Sequence, residues 1–338
     1  MNVDYISYEK YQDLCADNNV KKESHQKTLI TYLHDLGIVL NFQEDKRLKD
    51  TNVLNPEWVT EGIYKLLNAK KLSNNHGVLH CDDLDKLLGE RYQHKQQFII
   101  DMMEKFELCF ELSKNQYLIP DLLPKDEPTL DDWDYDNSLA FQFHYDILPT
   151  SIMSRFIVKM HRNILDNSYW FSGVILESDN NQALVKSDVE DKRIEIWVTG
   201  NAKGKRGLLQ AIRDKLKDIH KDLHKINARE FVVYEGVTLK YQDLLNVEAM
   251  GETDYLIPSL QRWVSLTELL DGIDEKTVRE QLEKSNSSKN KKKDERDEIT
   301  FKFQVEKEKR DKVQFWITVI AVLASLTIAA VAVLNYLK

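Results

Sequence analysis

An uncharged apolar run near the end of the sequence constrains the chain more than any other feature. Residues Phe315–Leu334 contain neither a charged residue nor a proline. A helix of this length, rising about 1.5 Å per residue, would extend about 30 Å, which is the hydrocarbon thickness of a bilayer. Buried core helices are usually shorter and amphipathic, whereas this run is apolar on every face. We therefore predict a transmembrane helix over residues 314–337, with these residues as the membrane anchor: Phe315, Trp316, Ile317, Val319, Ile320, Leu323, Leu326, Ile328, Val331 and Leu334.

The charges on either side of this run predict its orientation. Four basic residues lie within 305–312, just before the run, and Lys338 alone follows it. Since basic residues stay on the cytoplasmic side, the body of the protein is expected in the cytoplasm. The N-terminus has no basic segment followed by an apolar run, so we expect no signal peptide. These features predict a single-pass, tail-anchored membrane protein with a cytoplasmic N-terminal body.

Cysteine and histidine usage does not indicate a metal site. The three cysteines, Cys15, Cys81 and Cys109, are widely spaced and odd in number, as expected for free thiols in a reducing compartment. His76 and His80 lie close to Cys81, but no second ligand pair at zinc-site spacing follows. We assign no metal and no cofactor.

Size and charge limit the class of protein. The chain has 338 residues, a formal net charge of −9 and a hydrophobic fraction of 42%. This is enough for two packed domains of ordinary size besides the apolar run. A general nucleic-acid binder needs a basic face to release counterions, so the acidic balance argues against a nucleic-acid partner.

The first half combines helices with a hairpin. A helical stripe through Leu33 and Leu36 ends at Gly37, and Ile38–Phe42 then predicts a strand. Asn55 and Pro56 are typical of a helix start. A helical stripe of Phe98, Ile99, Met102, Met103 and Phe106, which we expect in the core, precedes a hairpin between residues 108 and 119. Residues 1–125 are therefore predicted to form a winged-helix-like domain.

An acidic linker separates the two halves. Residues 126–138 contain Pro128 and several aspartates. The run that begins at Asp132 is similar to the opening of a calcium loop. Asn137 and Phe143 stand where that loop needs glycine and glutamate, so we reject a calcium site.

The second half predicts an α+β domain with a mostly antiparallel sheet over residues 139–272. A strand over Leu139–Tyr145 ends near Leu148 and Pro149. The elements that follow are a helix from Ile152 to Ile164, strands at Tyr169–Leu176, Gln182–Lys186 and Arg193–Val198, a long helix through Leu223, and a strand at Phe231–Tyr234. Residues 200–207 lie between a strand and a helix, as a phosphate loop would. Their glycine spacing is one residue short, and Arg206 replaces the hydroxyl residue that would hold magnesium.

These segments together resemble a known family. Residues 32–42, 53–59, 104–108 and 117–120 resemble the first half of a COR domain, which follows the Roc GTPase in Roco proteins. Residues 148–149, 155–157, 169–174 and 194–200 resemble its second half. The positions that carry the resemblance are Leu33, Gly37, Asn55, Pro56, Trp58, Leu148, Pro149, Arg155, Trp170, Gly173 and Gly200.

The resemblance implies a COR-A-like domain at 1–125 and a COR-B-like domain at 139–272. It implies docking on a Roc GTPase through the first half, homodimerisation through the second half, and no catalytic residues. The sequence departs from the family because it begins at COR and has no P-loop. It is either the C-terminal part of a split or truncated Roco protein, or a COR that acts with a GTPase in trans. Residues 273–313 are expected to form a charged linker or stalk.

Three functions follow as hypotheses. The leading one is a non-enzymatic, membrane-tethered dimerisation and GTPase-coupling module in GTPase signalling. Its partners would be a second copy, a Roc-type GTPase and the membrane. One alternative is a hydrolase with an unrecognised site that uses His161 or His144, although no nucleophile or metal constellation accompanies them. The other is a winged-helix DNA binder held at the membrane.

Overall fold

The computed structural model describes residues 3–130, 133–223, 226–279 and 281. Contacts divide the chain into two compact units, Met1–Asp274 and Glu275–Lys338. In the second unit, residues 276–279 are helical. Within the described residues no helix is both long and apolar enough to cross a bilayer. The predicted transmembrane helix at 314–337 and the stalk beyond residue 281 lie outside the described residues.

The N-terminal half, residues 3–123, is mainly helical. Its helices are α1 (Tyr8–Asp17), α2 (Glu23–Asp35), α3 (Pro56–Leu67), α4 (Lys70–Asn74), α5 (Leu84–Leu88) and α6 (Gln96–Lys105), with short 3-10 helices at Cys81–Asp83, Glu90–Tyr92 and Pro120–Leu122. Its strands are β1 (Tyr5–Ser7), β2 (Thr51–Val53), β3 (Val78–His80), β4 (Phe110–Ser113) and β5 (Gln116–Leu118). β1 pairs with β2, and the other three strands form a small antiparallel sheet in the order β3-β5-β4.

The end of α2 shows how sequence fixes a local turn. The Gly37 N–H donates to the His34 carbonyl at 2.9 Å, and the Ile38 N–H donates to the Leu33 carbonyl at 3.0 Å. This is the Schellman arrangement, which requires a positive φ at its turning residue. Gly37 has φ +70°, so the predicted helix end is confirmed.

The predicted strand at Ile38–Phe42 is wrong. Leu40 alone forms a bridge, bonding through its N–H and carbonyl to Val53. One residue later the backbone ladder is replaced by a side-chain bond, from the Asn41 amide to the Asn52 side-chain oxygen at 2.6 Å. The β-forming residues of this segment therefore lack a continuous partner strand, and they form a loop instead.

Helices α3 and α6 and the β4–β5 hairpin confirm the corresponding predictions. Trp58 of α3 stacks on Tyr92 at 5.2 Å between ring centroids and on Phe98 at 6.1 Å. In the helical stripe of α6 four residues are buried, but Phe106 is the C-cap and is 49% exposed, so its predicted core position is wrong. The winged-helix likeness of this half stays a prediction.

The C-terminal half, residues 139–274, is built on a large sheet. Its strands are β6 (Leu139–Tyr145), β7 (Ile164–Trp170), β8 (Gly173–Ser178), β9 (Asn181–Asp188), β10 (Arg193–Thr199), β11 (Ala228–Tyr234), β12 (Val237–Lys240), β13 (Asp254–Ile257) and β14 (Arg262–Ser265). Its helices are α7 (Ser151–Met160), α8 (Ala202–Asp222), α9 (Tyr241–Ala249) and α10 (Leu266–Leu270), with a 3-10 helix at His161–Asn163.

The large sheet is antiparallel throughout. Its order is β12-β11-β6-β10-β9-β8-β7, and β13 and β14 form a separate hairpin. Phe141, Ile196, Val185 and Val174 lie in register across four neighbouring strands and form one buried face. Helices α7, α8 and α9 pack on this face, and the resulting core agrees with the predicted α+β class.

Three boundaries in this half differ from the predictions. Ile164 does not continue α7, because the 3-10 helix at His161–Asn163 turns the chain and Ile164 then pairs with Leu176 in the sheet. The predicted strand at Tyr169–Leu176 is two strands, β7 and β8, joined by a tight turn. Helix α8 begins at Ala202, so most of the predicted 200–207 loop is helical, with Asn201 as the N-cap.

Candidate interaction surfaces

The two halves share a hydrophobic core. In the β4–β5 hairpin, Tyr117 packs into the core of the N-terminal half, whereas Leu118 belongs to the core of the C-terminal half. Phe110 and Leu123 join Leu118 there. Successive strand residues point to opposite faces, so one short hairpin serves both cores. The halves are therefore joined by buried apolar contact.

Charged side chains surround this contact. Glu107, just after α6, accepts from Arg155 Nε at 2.7 Å through one carboxylate oxygen. Its other oxygen lies 2.5 Å from Lys159 Nζ. The two cations are four residues apart on α7 and therefore lie on one face of the helix. Arg155 also contacts Asp222, at the end of α8, at 2.9 Å. Glu107, Arg155 and Lys159 are each about one-fifth exposed (21%, 18% and 22%), so dissolved salt screens their charges only partly.

Two further contacts connect the halves. The His161 ring stacks on Phe110 with centroids 4.9 Å apart. The Ser154 hydroxyl donates to Asp121. We name Glu107, Phe110, Arg155, Lys159 and His161 the interdomain joint.

The N-terminal half exposes an apolar patch at the end of α2. Tyr32 is 60% exposed, and Leu36 and Ile38 are each 54% exposed. Tyr32 and Leu36 are four residues apart and share one helix face, and the Schellman turn places Ile38 beside the end of that helix. We name these three residues the α2 patch. Exposed clusters of large apolar side chains are typical of protein contacts.

The C-terminal half exposes an apolar pair on the β13–β14 hairpin. Leu256 and Trp263 are directly opposite each other in register, and they are 42% and 67% exposed. Their neighbours on the other face, Ile257 and Val264, are buried in the core. Trp263 is one of the most exposed large apolar residues on the described surface. Tryptophan is enriched at the centres of protein interfaces.

A buried ionic cluster ties the end of this half to its sheet and helices. Arg213 of α8 contacts Asp274 at 2.6 Å and Glu230 of β11 at 2.9 Å. The Tyr241 hydroxyl donates to Asp274 at 2.5 Å, and the Arg213 guanidinium lies over the rings of Phe141 and Tyr241 at 4.8 and 4.9 Å. Burial raises the pKa of Asp274, but the Arg213 charge and these hydrogen bonds lower it more, so the net pKa is below 3.8.

The predicted family positions mostly serve the fold. Leu33, Trp58, Leu148 and Trp170 pack in cores, and Gly37 and Pro56 lie at the helix boundaries predicted for them. The Asn55 amide donates to Asp4 at 2.9 Å instead of capping α3. Pro149 precedes α7, and Gly200, with φ +124°, precedes α8.

Two of these positions have sharper roles. A Cβ on Gly173 would lie 2.2 Å from the Trp170 ring, so the turn between β7 and β8 needs glycine. Arg155 is the one family position in the interdomain joint. The sequence did not single out its partners Glu107 and Lys159, nor the exposed Trp263. Glu107 lies inside the 104–108 segment that carried the resemblance, but its partner is 48 residues away.

The two histidines of the hydrolase hypothesis make structural contacts. His161 Nδ1 lies 2.8 Å from the Val158 carbonyl, and its ring belongs to the joint. His144 Nε2 lies 2.7 Å from Gln142, and burial followed by the charges of Arg193 and Arg229 lowers its pKa. In the parts of the chain that the structure describes, no group of three or more His, Cys, Asp or Glu side chains could hold a metal ion.

Comparisons with known proteins agree with this organisation. Residues 1–123 match the family model "C-terminal of Roc, COR-A domain", and residues 136–272 match "C-terminal of Roc, COR-B domain". A Roc-COR-CHAT protease of Runella zeae is 24% identical over 257 residues, which is 74% of this chain and 27% of that protein. The probable serine/threonine-protein kinase pats1 of Dictyostelium discoideum is 26% identical over 267 residues, which is 68% of this chain and 8% of the kinase.

A solved structure also matches part of the chain. The structure of Methanosarcina barkeri Roco2 RocCORdC bound to GDP is 40% identical, covers 36% of this chain and 40% of that chain, and has a TM-score of 0.34. Of the two curated relatives named above, the chain spans 27% of the Runella zeae protease and 8% of the pats1 kinase. The two family models are consecutive and together match most of the sequence. The chain therefore belongs to the family of COR domains of Roco proteins, with a COR-A domain followed by a COR-B domain.

Proposed function

We propose that this chain is a non-enzymatic module that couples a Roc-type GTPase to a COR dimer at a membrane. The observation that carries the proposal is the match to consecutive COR-A and COR-B models, both defined as C-terminal of Roc. The name of one relative supports it, since the Roc-COR-CHAT protease of Runella zeae joins Roc to COR.

COR-A offers the docking surface for the GTPase. The α2 patch presents three large apolar side chains, each more than half exposed. A glutamate in the centre of such a contact would be desolvated without a partner, which costs several kcal/mol. Tyr32→Glu should therefore abolish GTPase binding.

The isolated Roc domain of Methanosarcina barkeri Roco2, loaded with GDP or a GTP analogue, is a suitable probe. Titration calorimetry with the wild-type chain should detect binding, and Tyr32→Glu should remove it. Ser24→Glu adds the same charge at an exposed position near the other end of α2 and is the matched control. Equal affinity of wild type and Tyr32→Glu would refute this assignment of the surface.

COR-B offers the dimer contact. Leu256 and Trp263 form an exposed cross-strand pair, and in a two-fold dimer the same patch meets itself. Trp263→Ser should shift the protein towards monomer in light scattering after size exclusion. Val189→Ser removes another exposed apolar residue of COR-B and should leave the dimer intact. A strictly monomeric wild type at high micromolar concentration would rule out the dimer.

Residues Phe315–Leu334 supply the membrane tether. The sequence of this run supports a spanning helix because it has no charge over a length that matches the bilayer. Leu323→Arg places a charge near its centre, which costs about 2.5–3.5 kcal/mol on insertion scales. The wild type should stay in the membrane pellet after alkaline carbonate washing, and Leu323→Arg should shift towards the supernatant. Complete extraction of the wild type would contradict the tether.

A further inference from the structure

Glu107, which follows the C-cap residue Phe106 of helix α6, is unusual for its position. Helix α6 ends like α2: the Glu107 N–H donates to the Glu104 carbonyl at 3.0 Å, and the Leu108 N–H donates to the Met103 carbonyl at 2.8 Å. Both turns need a left-handed residue. The α2 turn has Gly37 at φ +70°, whereas the α6 turn has Glu107 at φ +60°. A non-glycine residue is strained in this conformation, because its Cβ lies too close to the following carbonyl oxygen.

The position of the Glu107 carboxylate accounts for this strain. From the left-handed turn it reaches two cations of COR-B, Arg155 at 2.7 Å and Lys159 at 2.5 Å. Hydrogen bonds between charged partners are stronger than those between neutral groups. A glycine would fit the turn better, but it would make neither contact. The Glu107 side chain therefore stabilises the contact between the domains, although glutamate destabilises the turn in which it lies.

We propose that Glu107 is an electrostatic lock that fixes the orientation of COR-A on COR-B. Arg155 extends the lock because it bonds Glu107 on COR-A and Asp222 at the end of the long helix α8. The shared apolar contact of Phe110, Leu118 and Leu123 does not depend on these charges. Opening the lock therefore lets COR-A pivot on COR-B without separating from it. With the lock closed, COR-A, α7 and α8 move together as a rigid body.

The lock can be tested on the full chain in detergent by electron paramagnetic distance measurement. Spin labels replace the exposed Tyr64 of COR-A and Val189 of COR-B, in a background with Cys81 changed to serine. Diluted with an excess of unlabelled chain, so that distances between copies do not contribute, the labelled wild type should give one narrow distance distribution. Glu107→Gln and Glu107→Gly should both broaden or split it.

The Glu107→Gly variant distinguishes an electrostatic lock from a residue that only stabilises its own turn. Glu107→Gly relieves the backbone conformation, so the N-terminal half should keep its stability while the distance distribution broadens. The matched control is Gly37→Glu, which introduces the same conformational penalty in the α2 turn and should destabilise COR-A without broadening. Raising the salt from 0.1 to 1 M shortens the Debye length from about 10 to about 3 Å. Because the charges are partly buried, it should broaden the wild-type distribution less than Glu107→Gln does.

Narrow distributions for Glu107→Gln and for the wild type at 1 M salt would overturn the proposal. The proposal would also fail if Gly37→Glu broadened the distance distribution as much as Glu107→Gln does. The Arg155→Gln, Lys159→Gln double variant should broaden the distribution as much as Glu107→Gln, and adding Glu107→Gln to it should change nothing further. The measurement contains no GTPase, so its result does not depend on whether the proposed GTPase docking is correct.

Discussion

The Arg213–Asp274 pair permits the most quantitative prediction. Their side chains are 3% and 4% exposed, and their polar atoms are 2.6 Å apart. Removing one partner of a buried ion pair generally costs about 3–5 kcal/mol, because the other charge stays buried. Asp274→Ala leaves Arg213 with Glu230 at 2.9 Å, which places the ionic part of the cost near the lower end of that range. The Tyr241 hydroxyl also loses its acceptor, which adds about 1 kcal/mol or more.

We expect Asp274→Ala to lower the free energy of unfolding by about 3–4 kcal/mol at neutral pH. The folded pKa of Asp274 lies below 3.8, so its contribution is fully present at pH 7 and is lost as the pH falls through that lower value. Urea unfolding followed by circular dichroism measures the change. Tyr241→Phe removes only the hydroxyl and should cost about 1 kcal/mol.

A double-mutant cycle tests the reasoning itself. Arg213→Met removes the second charge. The double variant should lose about 1–3 kcal/mol less free energy of unfolding than the two single variants lose together. This follows because each single variant leaves one charge of the pair buried without the other, and the double variant does not. Additive losses, or a cost of Asp274→Ala below about 1 kcal/mol, would show that the pair is not coupled in the folded protein.

Three other changes should have measurable effects. Burial lowers the pKa of His220 from 6.5 to about 4. The contribution of the neutral ring to stability, at most about 3 kcal/mol, is therefore fully present above pH 6.5 and is lost as the pH falls towards 4. His220→Gln should flatten that part of the pH profile in urea unfolding, and an unchanged slope would exclude the effect. Gly173→Ala should cost about 1–3 kcal/mol by overpacking against Trp170, whereas a neutral result would mean that the turn adapts. Asn201→Ala removes the side-chain acceptor for the Gly204 N–H, 2.8 Å away, and should cost about 1 kcal/mol; no loss of thermal stability would contradict this cap.

Local signals in the sequence were sufficient where neighbouring residues decide the structure. Pro56 begins α3 and Gly37 ends α2, because both effects depend on the backbone of one residue. The segment Ile38–Phe42 shows the limit of this reasoning. Its residues favour a strand, but a strand also needs a partner, and here only Leu40 finds one.

The candidate functional residues were harder to predict because their roles depend on distant contacts. Glu107 meets Arg155 across 48 positions of sequence, and no local pattern indicates that pairing. The exposure of Trp263 could not be predicted, because an apolar residue in a short strand is equally compatible with the core and the surface. Only the register with Leu256, together with its 67% exposure, distinguishes it from Val264 beside it.

The β4–β5 hairpin shows why COR-A and COR-B act together although separate family models describe them. The two models match residues 1–123 and 136–272, so the hairpin belongs entirely to COR-A. Its residues Phe110 and Leu118 nevertheless complete the COR-B core, while Tyr117 completes the COR-A core. Buried apolar side chains of this size each contribute about 1.5–3 kcal/mol, so COR-B is destabilised without COR-A. The charges of the interdomain joint then act on two domains that are already in contact, and they need only set the angle between them.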